Sequence, residues 1–394
     1  MKLLRAFKSL PVQLVTVIII GALFAETMPL KYIQVFYTLS VVFKELLMAV
    51  LPIVIFSYIT GAILSMQSRA PMLIAAIIGC VVLSNALGIN FSYFVTTNLL
   101  PHILPADAAI AAIDQALVIQ PMFHFVIPDY VTPDQAMLAG VIGGLLFSFC
   151  HVPKVNQLAV QLRHYVTLFL QKVFIPLLPV YVFGFVLKIQ HEGALELLFQ
   201  NYAQVFMFTI VYGFVFMYLL YFIGAGFSHN KAIAAIKEMF PAILTGFSTM
   251  SSAATMPITL EATEINTKNP RFAQLIIPST ANIHLVADSV ITLVLVFSVM
   301  MMMGMEMPSY SAMITFTGYY VIARFSTAAI PGGGIIVLMP YLQSVFGMSA
   351  EAASIVTTLY ILQDPIITAG NITGNGAFAM IVNRLTRRLQ DRSA

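Results

Sequence analysis

Apolar residues fall in long blocks along this chain, and polar residues gather in the breaks between them. Blocks near 11–27, 33–65, 70–98, 135–150, 155–188 and 200–227 predict six helices. After residue 230 the pattern changes. Two apolar stretches are cut near their middle, by Thr-Gly-Phe-Ser-Thr-Met-Ser-Ser-Ala-Ala-Thr-Met-Pro at 245–257 and by Ala-Ala-Ile-Pro-Gly-Gly-Gly at 328–334. A bilayer core demands about 20 consecutive apolar residues per helix, with every backbone group bonded internally. Interrupted stretches fit a membrane only if their polar tips line a protected cavity, so they read as helical hairpins over 232–265 and 310–346. A helix over 270–304 separates the hairpins, and a last helix covers 350–385. Several of these helices exceed spanning length, which implies tilt. The predicted fold is an all-α polytopic membrane protein with eight transmembrane helices and two re-entrant helical hairpins.

Composition narrows the class. Hydrophobic residues make up 60% of the 394, charged residues only 9%, and the mean hydropathy is +0.93. Soluble domains carry about 25% charged residues, so a soluble reading fails on charge alone. The net charge of +3 is mild and forms no basic stripe with interleaved aromatics, which argues against nucleic acid as a partner. Cys80 and Cys150 lie in apolar runs without zinc or redox spacing. Lys2, Arg5 and Lys8 precede an apolar run from Val12 to Ala25 that is long for a signal peptide and lacks a clean cleavage site. It reads as a retained first membrane helix.

Charge also sets an orientation. Lys2, Arg5, Lys8, Arg69, Lys154, Arg163, Lys231, Lys237, Lys268, Arg271, Arg384, Arg387, Arg388 and Arg392 fall on one predicted side, and the other holds chiefly Lys31 and Lys188. Both termini are then cytoplasmic, and the acidic loop over 99–134 is external. A plasma membrane is the expected setting, a bacterial inner membrane in particular.

Polar residues inside the predicted spans carry the chemistry. Asp364, Thr368, Asn371 and Asn375 fall at i, i+4, i+7 and i+11 and so share one face of the last helix. The bland reading is a seam bonded to a neighbouring helix. A buried carboxylate costs at least about 3 kcal/mol on insertion scales, however, so Asp364 calls for a cationic partner or a wet site. The tip after Met250, with Ser251 and Ser252, offers hydroxyls and backbone N–H groups, and the Gly-rich tip allows close backbone approach. An amine on Asp364 and a carboxylate on the tips together describe an amino acid. Thr280, His284 and Asp288 form a second i, i+4, i+8 series. Pro278 and Asn282 beside it suggest local unwinding that frees carbonyls for a cation. His284 with Asp288 is either a proton relay or a structural bond. Arg324, in the first arm of the second hairpin, is expected to snorkel to an interface. Pairing with Asp288 or Asp364, or contact with substrate, are its alternatives.

Ser251-Ser252-Ala253-Ala254-Thr255-Met256-Pro257, Ile330-Pro331-Gly332-Gly333-Gly334 and the Asp364–Asn375 spacing together resemble the dicarboxylate/amino acid:cation symporters, the glutamate transporter family. The motif likeness covers about residues 230–389, and the N-terminal half matches in hydropathy and helix count only. The resemblance implies an inverted-repeat fold and a homotrimer. It implies six N-terminal helices (1–230) divided between a trimerisation scaffold and a moving transport domain, whose core is 231–389. Transport would be an elevator-like displacement, with the second hairpin as a gate. Asp364 and Thr368 would hold the substrate amino group. Asn371, with groups at Met250, Ser251 and Ser252, would hold its carboxylate, and the backbone of Ile330, Pro331, Gly332 and Gly334 would close over it.

The departures from that pattern are more informative. Where acidic-substrate members place an arginine, this chain has Ile367, and a threonine that also holds the side-chain carboxylate corresponds to Val286. Isoleucine cannot imitate a bidentate charged clamp. The expected substrate is therefore a neutral amino acid. The family's Asn-Met-Asp-Gly-Thr reads here Asn282-Ile283-His284-Leu285-Val286, and a second sodium-binding aspartate has become Asn375. Sodium favours hard oxygen ligands, so both sites are weakened. A third, carbonyl-rich site around Thr280 and 324–327 contains Arg324, whose fixed charge is a candidate stand-in for a mobile ion. No cofactor is expected, and the coupling cation is a proton or sodium.

A secondary active transporter leads. A sodium-coupled dicarboxylate or acidic amino acid symporter is the alternative within the class, and a facilitator or anion-conducting channel is the alternative outside it. An intramembrane enzyme built on Ser251 or Ser252 is disfavoured, because no histidine lies near them in sequence.

Overall fold

A computed structural model describes residues 10–65, 71–104, 119–123, 125, 127–128, 130–150, 153–191, 195–327 and 332–386. The described residues are helical apart from short connections. In chain order the helices are α1 (Leu10–Phe24), α2 (Leu30–Ser65), α3 (Pro71–Ile103), α4 (Pro133–Cys150), α5 (Pro153–Phe169), α6 (Ile175–His191) and α7 (Leu195–Gly224). They continue as α8 (His229–Thr249), α9 (Ser252–Thr267), α10 (Pro270–Thr280), α11 (Val286–Met302), α12 (Tyr310–Arg324), α13 (Gly333–Phe346) and α14 (Ala350–Leu385). A π-helical turn, Leu170–Phe174, joins α5 to α6.

Local chemistry explains the boundaries. Asn269 caps α10 by accepting from the Phe272 N–H, with Pro270 in the first turn. Ser309 and Ser349 cap α12 and α14 in the same way, accepting from Ala312 and Ala352. The stretch predicted as one helix over 270–304 is in fact α10 and α11 with a break at 281–285. The segment predicted over 155–188 bends by 50° around the π-helical turn.

Two sets of helices pack together. α2 lies against α4, α5 and α6, and α1 against α6. The other set centres on α11 and α14, which pack on each other, with α3 and α7 against α11 and the α8–α9 hairpin against α14. α11 is buried along nearly its whole surface, as an all-round apolar helix must be. Helices α1 and α6 also touch α14, and α13 touches α2, so the sets meet there.

Among the described residues, Ala76–Ile103, Tyr202–Gly224 and Ala350–Leu385 are each long and apolar enough to cross a bilayer, and the bent pair Gln157–Val173 with Pro176–His191 adds a fourth candidate. The other apolar helices are shorter pieces, such as Val286–Met302 and Gly333–Phe346.

Candidate functional site

The first hairpin turns in two residues. α8 ends at Met250 in the left-handed region (φ 51°, ψ 32°), whose N–H returns to the Gly246 carbonyl. Ser251 then caps α9, its Oγ accepting from the Ala254 N–H at 3.2 Å. The N–H groups of Ser252 and Ala253 have no acceptor within the helix and sit at its positive end, a ready anion site.

Two more helices start nearby. Gly332, at φ +72°, leads into α13, and its N–H donates to Asp364 Oδ2 at 3.2 Å. α11 begins at Val286 with no side-chain cap from Leu285. The cap comes from α14: Asn371 Oδ1 accepts from the N–H groups of Ala287 and Asp288 at 2.9 and 3.2 Å. Since Oδ1 faces those donors, Nδ2 of Asn371 remains as a donor for something else.

Three helix N-termini thus converge on the middle of α14. Between them lies a cavity of about 50 Å³. Met250, Ser251 and Ser252 line it from the first hairpin, Thr327 and Gly334 from the second, and Ala281, Asn282 and Leu285 from the break between α10 and α11. Asp288 adds to the α11 side, and α14 supplies Tyr360, Asp364, Ile367, Thr368 and Asn371. A space of this size has room for roughly three to five waters.

Arg324 does not snorkel. It is fully buried, and its Nη1 donates to Asp288 Oδ2 at 2.7 Å. Its Nη2 donates to the Gly334 carbonyl at 3.1 Å, and its guanidinium lies 4.4 Å from the centre of the Tyr320 ring. Asp288 also accepts from the Tyr360 hydroxyl and from Thr292 Oγ1, each at 2.7 Å. A Cβ at position 334 would come within 2.4 Å of the Asp288 carboxylate and 2.2 Å of the Tyr360 hydroxyl, so only glycine lets α13 approach this closely.

His284 belongs to a separate cluster, and the His284–Asp288 relay is not formed. Its Nδ1 lies 3.0 Å from Asn375 Oδ1 and its Nε2 2.9 Å from Ser84 Oγ, which engages both ring nitrogens. An amide oxygen only accepts, so in the neutral ring Nδ1 donates to Asn375 and Nε2 accepts from Ser84. Phe378 stacks on the ring at 4.0 Å. The one-face series of Thr280, His284 and Asp288 is broken because the chain unwinds between α10 and α11, turning each residue to different partners. Thr280 Oγ1 bonds within α10 to the Ile276 carbonyl. Of the carbonyls around the break, that of Thr280 accepts from the N–H groups of Ile283 and His284, and that of Ile283 accepts from Asn85 Nδ2.

The remaining predicted residues divide between the cavity and its surroundings. Asp364, Ile367, Thr368, Asn371 and Asn282 line it, whereas Asn375 lies with His284 outside it. Val286 is absent from the lining: it packs toward Gly374 and Gly88, between α14 and α3. Ile330 and Pro331 lie outside the described residues.

Four residues with clear structural roles were missed in the sequence. Tyr360 falls one turn before Asp364, and Thr292 one turn after Asp288, so helical spacing contained a signal for both. Ser84 and Asn85 come from α3, and nothing in the linear pattern pairs that helix with the α10–α11 break.

A family model for the sodium:dicarboxylate symporter family matches residues 10–385. The serine/threonine transporter SstT of Acinetobacter baumannii (strain ATCC 17978) is 26% identical over 403 aligned positions, spanning 96% of this chain and 98% of that protein. Excitatory amino acid transporter 2 of Homo sapiens is 25% identical over 179 positions, covering 45% of this chain and 30% of that protein. Matched over nearly its whole length, this chain belongs to the sodium:dicarboxylate symporter family, a family of transporters, and is an integral membrane protein.

Proposed function

We propose that this protein is a secondary active transporter for a small neutral amino acid. The observation that carries this reading is the distribution of charge around the cavity. Asp364 faces it with a backbone N–H on its carboxylate, while Arg324, the nearby guanidinium, is bound to Asp288 and the Gly334 carbonyl. A zwitterion fits that arrangement. Its ammonium group pairs with Asp364, and its carboxylate takes Asn371 Nδ2 and the N–H groups at the start of α9. Its side chain then meets Ile367. A second carboxylate would meet the same isoleucine, with no Lys or Arg lining the cavity among the described residues. Such a buried, unpaired charge is strongly disfavoured. The cavity volume and the serine/threonine specificity in the relative's name both support small substrates.

The cation chemistry is rewritten in the same proposal. His284 and Asn375 bond to each other where the family pattern has two aspartates, and the Arg324 guanidinium serves as a fixed cation on Asp288. Sodium dependence is accordingly weak. The reading further includes eight spans with two re-entrant hairpins, cytoplasmic termini, a homotrimer, and elevator-type movement of the hairpins with α11 and α14.

The test is uptake into proteoliposomes. L-serine, L-threonine and L-alanine compete with labelled substrate, L-aspartate does not, and replacing sodium by choline changes uptake little. Strong inhibition by aspartate alone would overturn the substrate class in favour of an acidic amino acid symporter. Uptake driven only by a sodium gradient and insensitive to protonophore would overturn the cation reading. Saturable counterflow separates a carrier from a channel.

A further inference from the structure

Behind the substrate cavity lies a much larger one. A groove of about 570 Å³ runs between α7 and α8, with α11 and α14 as its floor. That floor is the back of the substrate site: Ala287 flanks Asp288, and Ile366 and Gly370 flank Ile367 and Asn371. The walls include Phe214, Phe240 and Phe247, which are 74%, 59% and 50% exposed. A Cβ added at Gly213, on the α7 wall, would meet nothing within 4 Å, so the groove is open there.

One end of the groove is cationic. Ile236, Phe240 and Phe247 share a face of α8, and at 100° per residue that face continues back to His229, with Lys237 at its edge. Tyr218, itself a wall residue, holds His229 Nδ1 at 2.8 Å, which fixes the imidazole at the groove's end. Arg384 lies against Gly226 in the turn between α7 and α8, as shown by the clash a Cβ there would make with its guanidinium. His229, Lys237 and Arg384 are all exposed. On the same helix, Lys231 and the acidic Glu238 point to the opposite side of α8.

We propose that this groove binds an anionic phospholipid, with one acyl chain between α7 and α8 and the phosphate at His229, Lys237 and Arg384. Two observations single it out from ordinary lipid-facing surface. It is concave and of ligand-site volume, and a basic cluster marks the end at which a headgroup would emerge. An occupant also supports α11 and α14 from behind, on the faces opposite Asp288 and Asn371.

The test uses the full-length protein, delipidated in detergent and returned to nanodiscs of phosphatidylglycerol or phosphatidylcholine with matched chains. Wild type melts higher in phosphatidylglycerol, by on the order of 5 °C, and native mass spectrometry finds phosphatidylglycerol retained in preference to phosphatidylcholine. Gly213→Phe fills the groove and abolishes both differences. His229→Gln with Lys237→Gln leaves the fold and the groove intact and removes the headgroup preference alone. Equal melting and retention in the two lipids, or a Gly213→Phe variant that keeps the full preference, would overturn the proposal. A change of oligomeric state in Gly213→Phe without a change in lipid retention would also overturn it, by assigning the groove to a second copy of the chain.

Discussion

His284, in the break before α11, and Asp288, in its first turn, lie four residues apart, yet their surroundings handle buried polarity in opposite ways. Around His284 every partner is neutral: an amide, a hydroxyl and an aromatic face. Around Asp288 a carboxylate is matched by the Arg324 guanidinium, and Tyr360 and Thr292 donate two further hydrogen bonds to it. On the proposed reading neither cluster calls for a mobile cation, one because it holds no carboxylate and the other because its counter-ion is covalently part of α12. Asp364 differs from both. Its carboxylate accepts from the Gly332 N–H and lines the cavity, where on the proposed reading it meets an ammonium group brought by the substrate. Among the described residues, on the proposed reading, the carboxylates of Asp288 and Asp364 are each completed by a cation, fixed for the first and transported for the second.

The strongest way to break this comparison is to remove the fixed cation. Arg324→Met leaves Asp288 buried without its counter-ion and should destabilise the protein by about 3–5 kcal/mol, read as a fall in melting temperature. The double variant with Asp288→Asn should recover most of that loss. Absence of recovery would mean that the two residues are not energetically linked. In the single variant, added sodium should raise the melting temperature, which it should not do in wild type.

Next in size is Asp364→Asn. Removing one partner of a buried ammonium–carboxylate pair costs about 3 kcal/mol, so substrate affinity should fall on the order of 100-fold with the fold retained. Thermal shifts with L-serine measure it, and an affinity within a few-fold of wild type would refute the amine-binding role.

Restoring acids to the neutral cluster sharpens the contrast. His284→Asp with Asn375→Asp should create an oxygen-rich site and a sodium requirement of about tenfold in uptake, worth about 1.4 kcal/mol. Uptake that stays indifferent to sodium would show that the aspartate-to-neutral exchange is not what sets cation dependence.

The smallest effect separates the two ends of the Asn371 amide. Asn371→Ala removes the α11 cap and should cost about 1 kcal/mol of stability. Asn371→Asp keeps an oxygen for the Ala287 and Asp288 N–H groups, where the α11 N-terminus favours an anion, but turns a like charge toward the substrate carboxylate, so the cap should hold while substrate affinity drops by about fivefold or more. Equal stability losses in both variants would argue against the cap.

Much of the fold was legible along the chain because apolar periodicity and Ser/Gly/Pro breaks act locally. The half-helices on either side of each break, the last helix and the interruption near Asn282 all lie where those signals put them. The polar face of α14 was legible for the same reason, since spacing at 3.6 residues per turn is a property of one helix. Arg324 was misjudged because snorkelling is the ordinary outcome for a long cation near a helix end, and its burial depends on Asp288 being brought to it from another element. Val286 was placed at the site through motif register and packs instead between α14 and α3: after an unwound segment, position in a motif no longer predicts which way a residue points.

By itself, the sequence determined that this chain is a helical membrane protein with two interrupted apolar stretches and a carboxylate on the last helix. Those are matters of composition, period and residue type. The tertiary structure alone decided which buried charges meet, that Asn371 of one helix caps another, and that Ser84 and Asn85 of α3 close the break before α11. Hydrogen bonds and ion pairs require contact within about 3 Å, and contact between residues tens or hundreds of positions apart exists only once the helices have packed.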